Sequence, residues 1–424
     1  MLAVLLTVLV AGFIINVPIG FTMGLAAVAS LIASGTMPIE MLPQRMVAGI
    51  NSFPLLAIPL FMMAGSIMER GGISRRIVEL ASALVGHFKG GLAAVSIMAC
   101  TFFASISGSA PGTAAAVGAL TIPEMVKRGY SKSYASSVVA SASCLGVIIP
   151  PSITFILYGI VANVSIGKLF IAGIIPGALL AVALIVVSIV RSHRLGYPAE
   201  AKQNWKQRWK KLIDSFWGIM MPVIILGGIM TGAFTPTESA GIAVIYGLVV
   251  SAFIYRELSW KDVFPIFYKA ALNSAMIILL IAVASPFGWI MTVEQVPQMV
   301  SDSILGLTTN FYLVLMMIIL LYLILGTFME TGAIILLVVP IFTPIAQQLG
   351  IDMVHFGVIT VVALAIGMAT PPVGITLFAT CSISGVSIGE LSRMVFPFLV
   401  TLIVCLMLLA FVPILSTWLP GLVF

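Results

Sequence analysis

The sequence predicts an all-α polytopic membrane protein made of two inverted repeats, each with five spans and a re-entrant hairpin. Three observations carry that expectation. Of the 424 residues, 61% are hydrophobic and 8% charged, and the mean hydropathy is +1.21; soluble domains carry about 25% charged residues. A short stretch occurs twice, as Gly146-Val-Ile-Ile-Pro-Pro-Ser-Ile-Thr-Phe155 and as Gly367-Met-Ala-Thr-Pro-Pro-Val-Gly-Ile-Thr-Leu-Phe378. Other pairs keep the same offset of about 220 residues: Pro18 with Pro236, Pro43 with Pro265, Asn51-Ser52 with Asn273-Ser274, and Val164-Ser-Ile-Gly-Lys-Leu169 with Val386-Ser-Ile-Gly-Glu-Leu391. An offset held along the whole chain marks an internal repeat.

The first repeat, 1–190, opens with spans over 2–16 and 19–34. Residues 1–16 are apolar without a basic flank, so they read as a membrane helix and not as a cleaved signal. A partly polar arm near 38–49, a span over 51–68 and a charged connection over 69–89 follow. The pair 90–106 and 110–127 is interrupted by Ser105-Ile-Ser-Gly-Ser-Ala-Pro-Gly-Thr113, whose small residues and Pro111 suit a hairpin that turns back inside the membrane. A broken span over 133–162, completing the unit 90–162, and a span over 168–190 end the repeat. After a basic linker, 191–214, the second repeat (215–424) reads as spans over 215–232 and 236–255, an arm over 257–270 and a span over 273–292. Its hairpin, 311–347, has its tip at Gly326-Thr-Phe-Met-Glu-Thr-Gly-Ala333 and, with the broken span 353–382, forms the unit 311–382; a last span covers 391–415.

Five crossings per repeat invert the second repeat relative to the first. The linker carries Arg191, Arg194, Lys202, Lys206, Arg208, Lys210 and Lys211, which places it in the cytoplasm. Parity then puts 69–89, 127–132, 256–269 and the region around 393 inside, and of the 20 Lys and Arg only Arg45 and Lys168 fall outside. Both termini are expected to be periplasmic. The segment from Lys202 to Lys211, with Trp205 and Trp209 four apart, reads as an amphipathic helix against anionic lipid, and the net charge of +6 is no nucleic-acid signal.

A double proline inside an apolar span breaks the helix, because proline lacks the N–H and clashes with the preceding turn. The freed peptide groups find no partner in hydrocarbon, so such breaks persist where they are buried in protein or bind ions and solutes. Two related half-sites of a secondary transporter follow. The first cation site is expected from Ser105, Ser107, Gly108, Gly146, Val147, Ile149 and Pro150. The second is expected from Gly326, Thr327, Glu330, Gly367, Ala369, Thr370 and Pro371. Backbone and hydroxyl oxygens are hard neutral ligands suited to Na⁺, and Glu330 is the one titratable residue near a tip, which favours Na⁺ over protons. An anion would lie against the amides after the breaks, with Ser109, Thr113, Thr154, Thr331 and Thr376 as hydroxyl donors. No arginine falls at that centre. Serine, glycine and threonine also let membrane helices approach closely, so packing is the competing role for each.

Other features bear on chemistry mainly by exclusion. Cys100, Cys144, Cys381 and Cys405 lack ligand-like spacing and read as buried small hydrophobes, and three scattered histidines give no transition-metal centre. Neither a Walker-type phosphate loop nor a protease constellation is present, and no organic cofactor is implied. Glu124 reads as a solvated carboxylate near the inner face. Glu238, in Thr235-Pro-Thr-Glu238, reads as a cap on free helix amides.

On the paired Pro-Pro breaks, Ser107-Gly108-Ser109 and the Phe234-Thr-Pro-Thr-Glu238 turn, the whole chain resembles the large membrane subunit of tripartite ATP-independent periplasmic (TRAP) transporters, the DctM-like family. That resemblance implies a Na⁺-driven importer of organic acids, such as C4-dicarboxylates or sialic acid, in the bacterial inner membrane. It implies an elevator, in which hairpins and broken spans move against a scaffold formed by 1–89 and 215–292. It also implies two partners, a small membrane subunit expected as a separate polypeptide and a periplasmic substrate-binding protein. A stand-alone carboxylate:Na⁺ symporter or ion antiporter of the same build is the alternative.

Overall fold

The computed structural model describes residues 1–35, 37–199 and 204–424, and no strand occurs among them. The first half runs α1 (Leu2–Ile14), α2 (Ile19–Ser34), α3 (Met41–Ile50), α4 (Ala57–Arg70), α5 (Ile73–Val85), α6 (Gly91–Ser107), α7 (Ala110–Lys127), α8 (Lys132–Ala142), α9 (Ile153–Val161) and α10 (Ile166–Arg194). The second runs α11 (Trp205–Met230), α12 (Pro236–Val249), α13 (Trp260–Val293), α14 (Val296–Leu307), α15 (Phe311–Phe328), α16 (Thr331–Gln348), α17 (Met353–Gly367), α18 (Ile375–Ser384), α19 (Ile388–Phe411) and α20 (Ile414–Val423). Capping follows the sequence closely. Ser109, Ser131, Ser152, Ser165 and Ser387 each accept a backbone N–H at the start of a helix. Glu238, expected as a cap, accepts from Thr235 N at 2.8 Å and closes a capping box with Thr235.

Burial separates centre from periphery. Every residue from Ser133 to Ala142 on α8 and from His355 to Gly367 on α17 is buried, whereas α3 buries none. A helix covered on all sides lies in the core. The hairpin α6–α7 packs on α8, and the hairpin α15–α16 on α17, while α10 and α19 cover α6 and α8 from outside. The halves cross over one another, since α7 lies along α18 and α9 along α16. Around this centre sit α1–α5 and α11–α13, with α13 packed on α2, α3 and α4, and α12 on α4.

Several boundaries differ from the sequence expectation. Eight helices among the described residues are long and apolar enough to cross a membrane. The first two expected spans fall short, with 13 residues in α1 and 16 in α2, against about 20 needed to cross a hydrocarbon core. The arm and span expected over 257–270 and 273–292 are one 34-residue helix, α13. In the first half Ser52 is extended and Pro54 opens a short 3-10 turn at Phe53–Leu56, which divides α3 from α4. No proline stands two residues after Ser274 as Pro54 does after Ser52; there Ser274 Oγ folds back onto Ala270 O at 2.7 Å and the helix continues. The charged connection over 69–89 holds a helix, α5, whose Ile73, Ile77, Leu80 and Ala81 recur at helical spacing and are buried. Beyond the last expected span, α20 packs on α10 and α17, with Ser416 Oγ 2.7 Å from His355 Nδ1. Trp205 and Trp209 are exposed and stacked, but they open the long α11 and do not form a separate surface helix; Lys202 lies outside the described residues. Of the cysteines, Cys100, Cys144 and Cys405 are buried and Cys381 is half-buried.

A close backbone approach joins α15 to α17. A Cβ built on Gly367 would lie 2.6 Å from Gly326 Cα, and one on Gly326 would lie 2.9 Å from Leu364 O. Neither neighbour is a side chain that can swing away. Gly367→Ala is therefore expected to lower stability by about 1–3 kcal/mol. Gly241→Ala, in α12 with nothing within 4 Å, should gain about 0.5–1 kcal/mol through helix propensity. Thermal unfolding of the purified variants checks the contrast, and equal melting temperatures would contradict it.

Candidate functional site

The α6–α7 hairpin turns within two residues. Gly108 adopts φ +59°, a left-handed conformation that side chains resist, and Ser109 is extended. The turn is knitted by hydroxyls. Ser107 Oγ lies 2.8 Å from Thr113 Oγ1 and donates to Ser109 O at 3.2 Å, and Thr113 Oγ1 donates to Ser109 O at 2.8 Å. Opposite this tip, α8 tightens into a 3-10 turn at Ser143–Val147, passes a cis Pro150–Pro151 bond and restarts as α9. The two pieces touch backbone to backbone. A Cβ on Gly146 would lie 2.5 Å from Ser109 O and 2.6 Å from Thr113 Oγ1, and one on Gly108 would lie 3.1 Å from Pro151 O.

Of the first expected set, Gly108 and Gly146 lie at this contact, with Ser107 joined to it through Thr113; Val147 and Pro150 follow Gly146 along the break. Ser105 and Ile149 point elsewhere. The Ser105 hydroxyl donates to Phe102 O at 2.6 Å within α6, and the Ile149 side chain packs on Gly177 of α10.

The second half repeats the contact with different atoms. Between α15 and α16, Met329 and Glu330 are extended, and the Glu330 carboxylate accepts from Gly332 N at 3.0 Å at the start of α16. Between α17 and α18 the chain passes a cis Pro371–Pro372 bond and Gly374 at φ +62°. Gly374 N donates to Thr327 O at 3.0 Å, fastening hairpin to break. Gly326 and Gly367 lie against each other, as described above. The Thr370 hydroxyl donates to Ile366 O at 2.7 Å, and Ala369 is buried beside it.

Two residues do what sequence reasoning did not assign. Ser152 Oγ donates to Val147 O at 2.6 Å and accepts from Phe155 N, so one hydroxyl serves both stubs of the broken helix. In the second half Thr376 Oγ1 reaches Met368 O at 3.0 Å. Val147 and Met368 each follow the glycine at a break, so both orphaned carbonyls receive a hydroxyl from beyond the prolines. A serine directly after Pro-Pro, at the start of an apolar helix, was the available signal for Ser152.

Four helices begin at these tips and breaks: α7, α9, α16 and α18. Aligned peptide dipoles make each N-terminus a positive end. Thr113, Thr154, Thr331 and Thr376 sit in their first turns and are buried, and Ser109 is the cap of α7. The hydroxyls of Thr113 and Thr376 are committed to backbone carbonyls, and Thr331 Oγ1 lies 3.4 Å from Glu330 Oε1. Leu157 of α9 packs on Gly332 of α16, and Tyr158 OH donates to Met353 O at 2.8 Å, so the two half-sites share a wall. Among the described residues no cluster of three or more His, Cys, Asp or Glu forms a metal-binding group. The arrangement is instead rich in neutral oxygens and helix amides.

Comparison with known proteins shows the family of the chain. Residues 6–415 match the family described as Tripartite ATP-independent periplasmic transporter, DctM component. The chain is 44% identical over 96% of its length to the isethionate TRAP transporter permease protein DctMQ of Oleidesulfovibrio alaskensis, and spans 64% of that longer protein. It is 36% identical to the C4-dicarboxylate TRAP transporter large permease protein DctM of Rhodobacter capsulatus, covering 98% of this chain and 97% of the relative. The crystal structure of the Alcanivorax borkumensis YdaH transporter superposes with a TM-score of 0.64 at 16% identity, covering 89% of this chain and 87% of that one, a likeness of fold. A multi-pass helical chain with two hairpin-and-break assemblies, matched over almost its full length by permease subunits, belongs to the DctM component family of tripartite ATP-independent periplasmic transporters.

Proposed function

We propose that this chain is the large permease of a Na⁺-coupled importer of organic acid anions in a bacterial inner membrane. The observation that carries the reading is the pairing of each broken helix with a hairpin tip, with four helix N-termini starting at the two junctions. Each junction offers hard neutral oxygens: hydroxyls of Ser107 and Thr113 and the carbonyls around Gly146 and Val147 in the first half. In the second, the tip and break carry the Thr327 and Thr370 hydroxyls, which donate to Ile324 O and Ile366 O, and the tip adds one charged oxygen ligand, the Glu330 carboxylate. Such ligands fit Na⁺ better than a soft metal. The helix N-termini favour an anion between the junctions. The relatives named for isethionate and for C4-dicarboxylates both carry names of organic anions.

In this reading Na⁺ binds first and fixes the tips, and the anion follows. The hairpins and broken helices move together against α1–α5 and α11–α13, as an elevator whose two halves are inverted. The basic linker 191–214 faces the cytoplasm and both termini the periplasm. A small membrane subunit and a periplasmic binding protein complete the system; the fused name DctMQ and greater length of one relative support a second membrane component.

In proteoliposomes holding the chain with its small subunit and binding protein, replacing Na⁺ by K⁺ or choline is expected to abolish uptake of the organic acid. Uptake that persists and tracks a proton gradient would overturn the coupling. Uptake by this chain alone would select a stand-alone symporter.

Removing both tip hydroxyls, Ser107→Ala with Thr113→Val, should raise the Na⁺ concentration for half-maximal uptake by about 10-fold or more, since each lost hydroxyl bond is worth about 1 kcal/mol. An unchanged sodium dependence in a folded variant would remove the first junction from the coupling site.

A further inference from the structure

Several cations on the basic end of the molecule are paired with carboxylates. Arg75 and Arg76 both pair with Glu257, at 2.9 and 2.8 Å, Arg70 pairs with Asp262, Lys211 with Glu79 and Arg128 with Glu124. Arg191 and Arg194, at the C-terminal end of α10, line a groove instead. Arg191 donates to Met394 O at 3.1 Å and lies over the Phe398 ring, and Arg194 is exposed; neither has a carboxylate partner among the described residues. Together they line one end of a groove of about 420 Å³ between α10 and α19. The rest of its wall is apolar, formed by Val187, Val190, Phe396, Pro397 and Val400, with the Thr401 hydroxyl turned back onto Pro397 O. No acidic residue lines it.

We propose that this groove binds one anionic phospholipid, its phosphate held by Arg191 and Arg194 and its acyl chains lying along Val187, Val190, Phe396 and Val400. The chemistry of the two ends decides the occupant. A guanidinium pair offers several N–H donors in fixed planes to the two anionic oxygens of a phosphodiester. The apolar wall continues along two helices that are both long and apolar enough to lie in a bilayer, and Val190, Phe396 and Val400 are exposed where hydrocarbon would cover them. A free phosphate would use the arginines and leave that wall bare. A basic pocket between membrane helices is a recurrent site for acidic lipid. The position matters, because α10 packs on hairpin arm α6 and α19 on the broken helix α8. The lipid would therefore rest on helices adjoining the first junction.

The test uses the purified full chain, delipidated in detergent with any subunit that accompanies it, and native mass spectrometry after adding dioleoylphosphatidylglycerol or dioleoylphosphatidylcholine. Retention of one phosphatidylglycerol in preference to phosphatidylcholine is expected, weakened about 5-fold for each arginine removed, as Arg194→Gln and then Arg191→Gln with Arg194→Gln. Val400→Trp, which fills the apolar wall without touching charge, should also release the lipid, and Lys210→Gln should not. If the Arg191 variant fails to fold through loss of the Met394 contact, Arg194→Gln and Val400→Trp carry the test alone. Retention unchanged in those two variants overturns the proposal, as does equal retention of phosphatidylcholine. So does competition by inorganic phosphate alone that displaces the lipid fully, or groove variants that change protein stoichiometry and leave lipid unchanged.

Discussion

The structure depends on one constraint: a peptide group freed by proline inside an apolar protein must be met by another polar atom. Leaving one unmet costs about 1–3 kcal/mol, and each break frees several. The chain meets the demand by hydroxyls at short range. Ser152 bridges both stubs of the first break, Thr376 reaches Met368 across the second, and Gly374 N ties the second break to the neighbouring hairpin. The tie from Gly374 needs the hairpin backbone within touching distance, and Gly108, Gly146, Gly326 and Gly367 allow that approach at the junctions. Packing and hydrogen bonding are here one requirement, and the fold around the centre serves to hold it.

Much of the centre was legible from the amino acids, because prolines and glycines announce their backbone consequences locally. The turn from Ser107 to Ser109, the stops after Val147 and Gly367, and the cap at Glu238 all follow from residues adjacent to the feature. The periphery was less legible where the deciding signal was weak or distant. α5 carries enough charge to read as a loop, and only its buried stripe against α6 and α11 shows why it is helical. α1 reads as a span by hydropathy, yet its 13-residue length falls short of one. The fusion of arm and span into α13 goes with the lack of a proline where Pro54 stands in the first half, a cue present in the sequence but easily outweighed by the likeness of the two halves.

At the junctions, residue type identified the neighbourhood better than the role. Thr113 and Thr376 were expected to face a solute, yet in this conformation their hydroxyls hold the backbone. Ser105 belongs by sequence to the tip cluster, but its helical back-bond to Phe102 turns it away. Spacing along a chain fixes which residues arrive at a place. Which lone pair each one addresses depends on the neighbouring helix, and that information comes from tertiary packing alone.

The crossing of the two halves has a consequence for how such a chain can change over evolutionary time. Because α9 rests on α16 and α7 on α18, with Leu157 set against Gly332 and the Tyr158 hydroxyl against Met353, no residue on those seams answers only to its own copy. A bulkier side chain accepted on one side of a seam must be accommodated on the other. The halves are thus free to diverge at their outer surfaces and bound to drift in step along the shared wall.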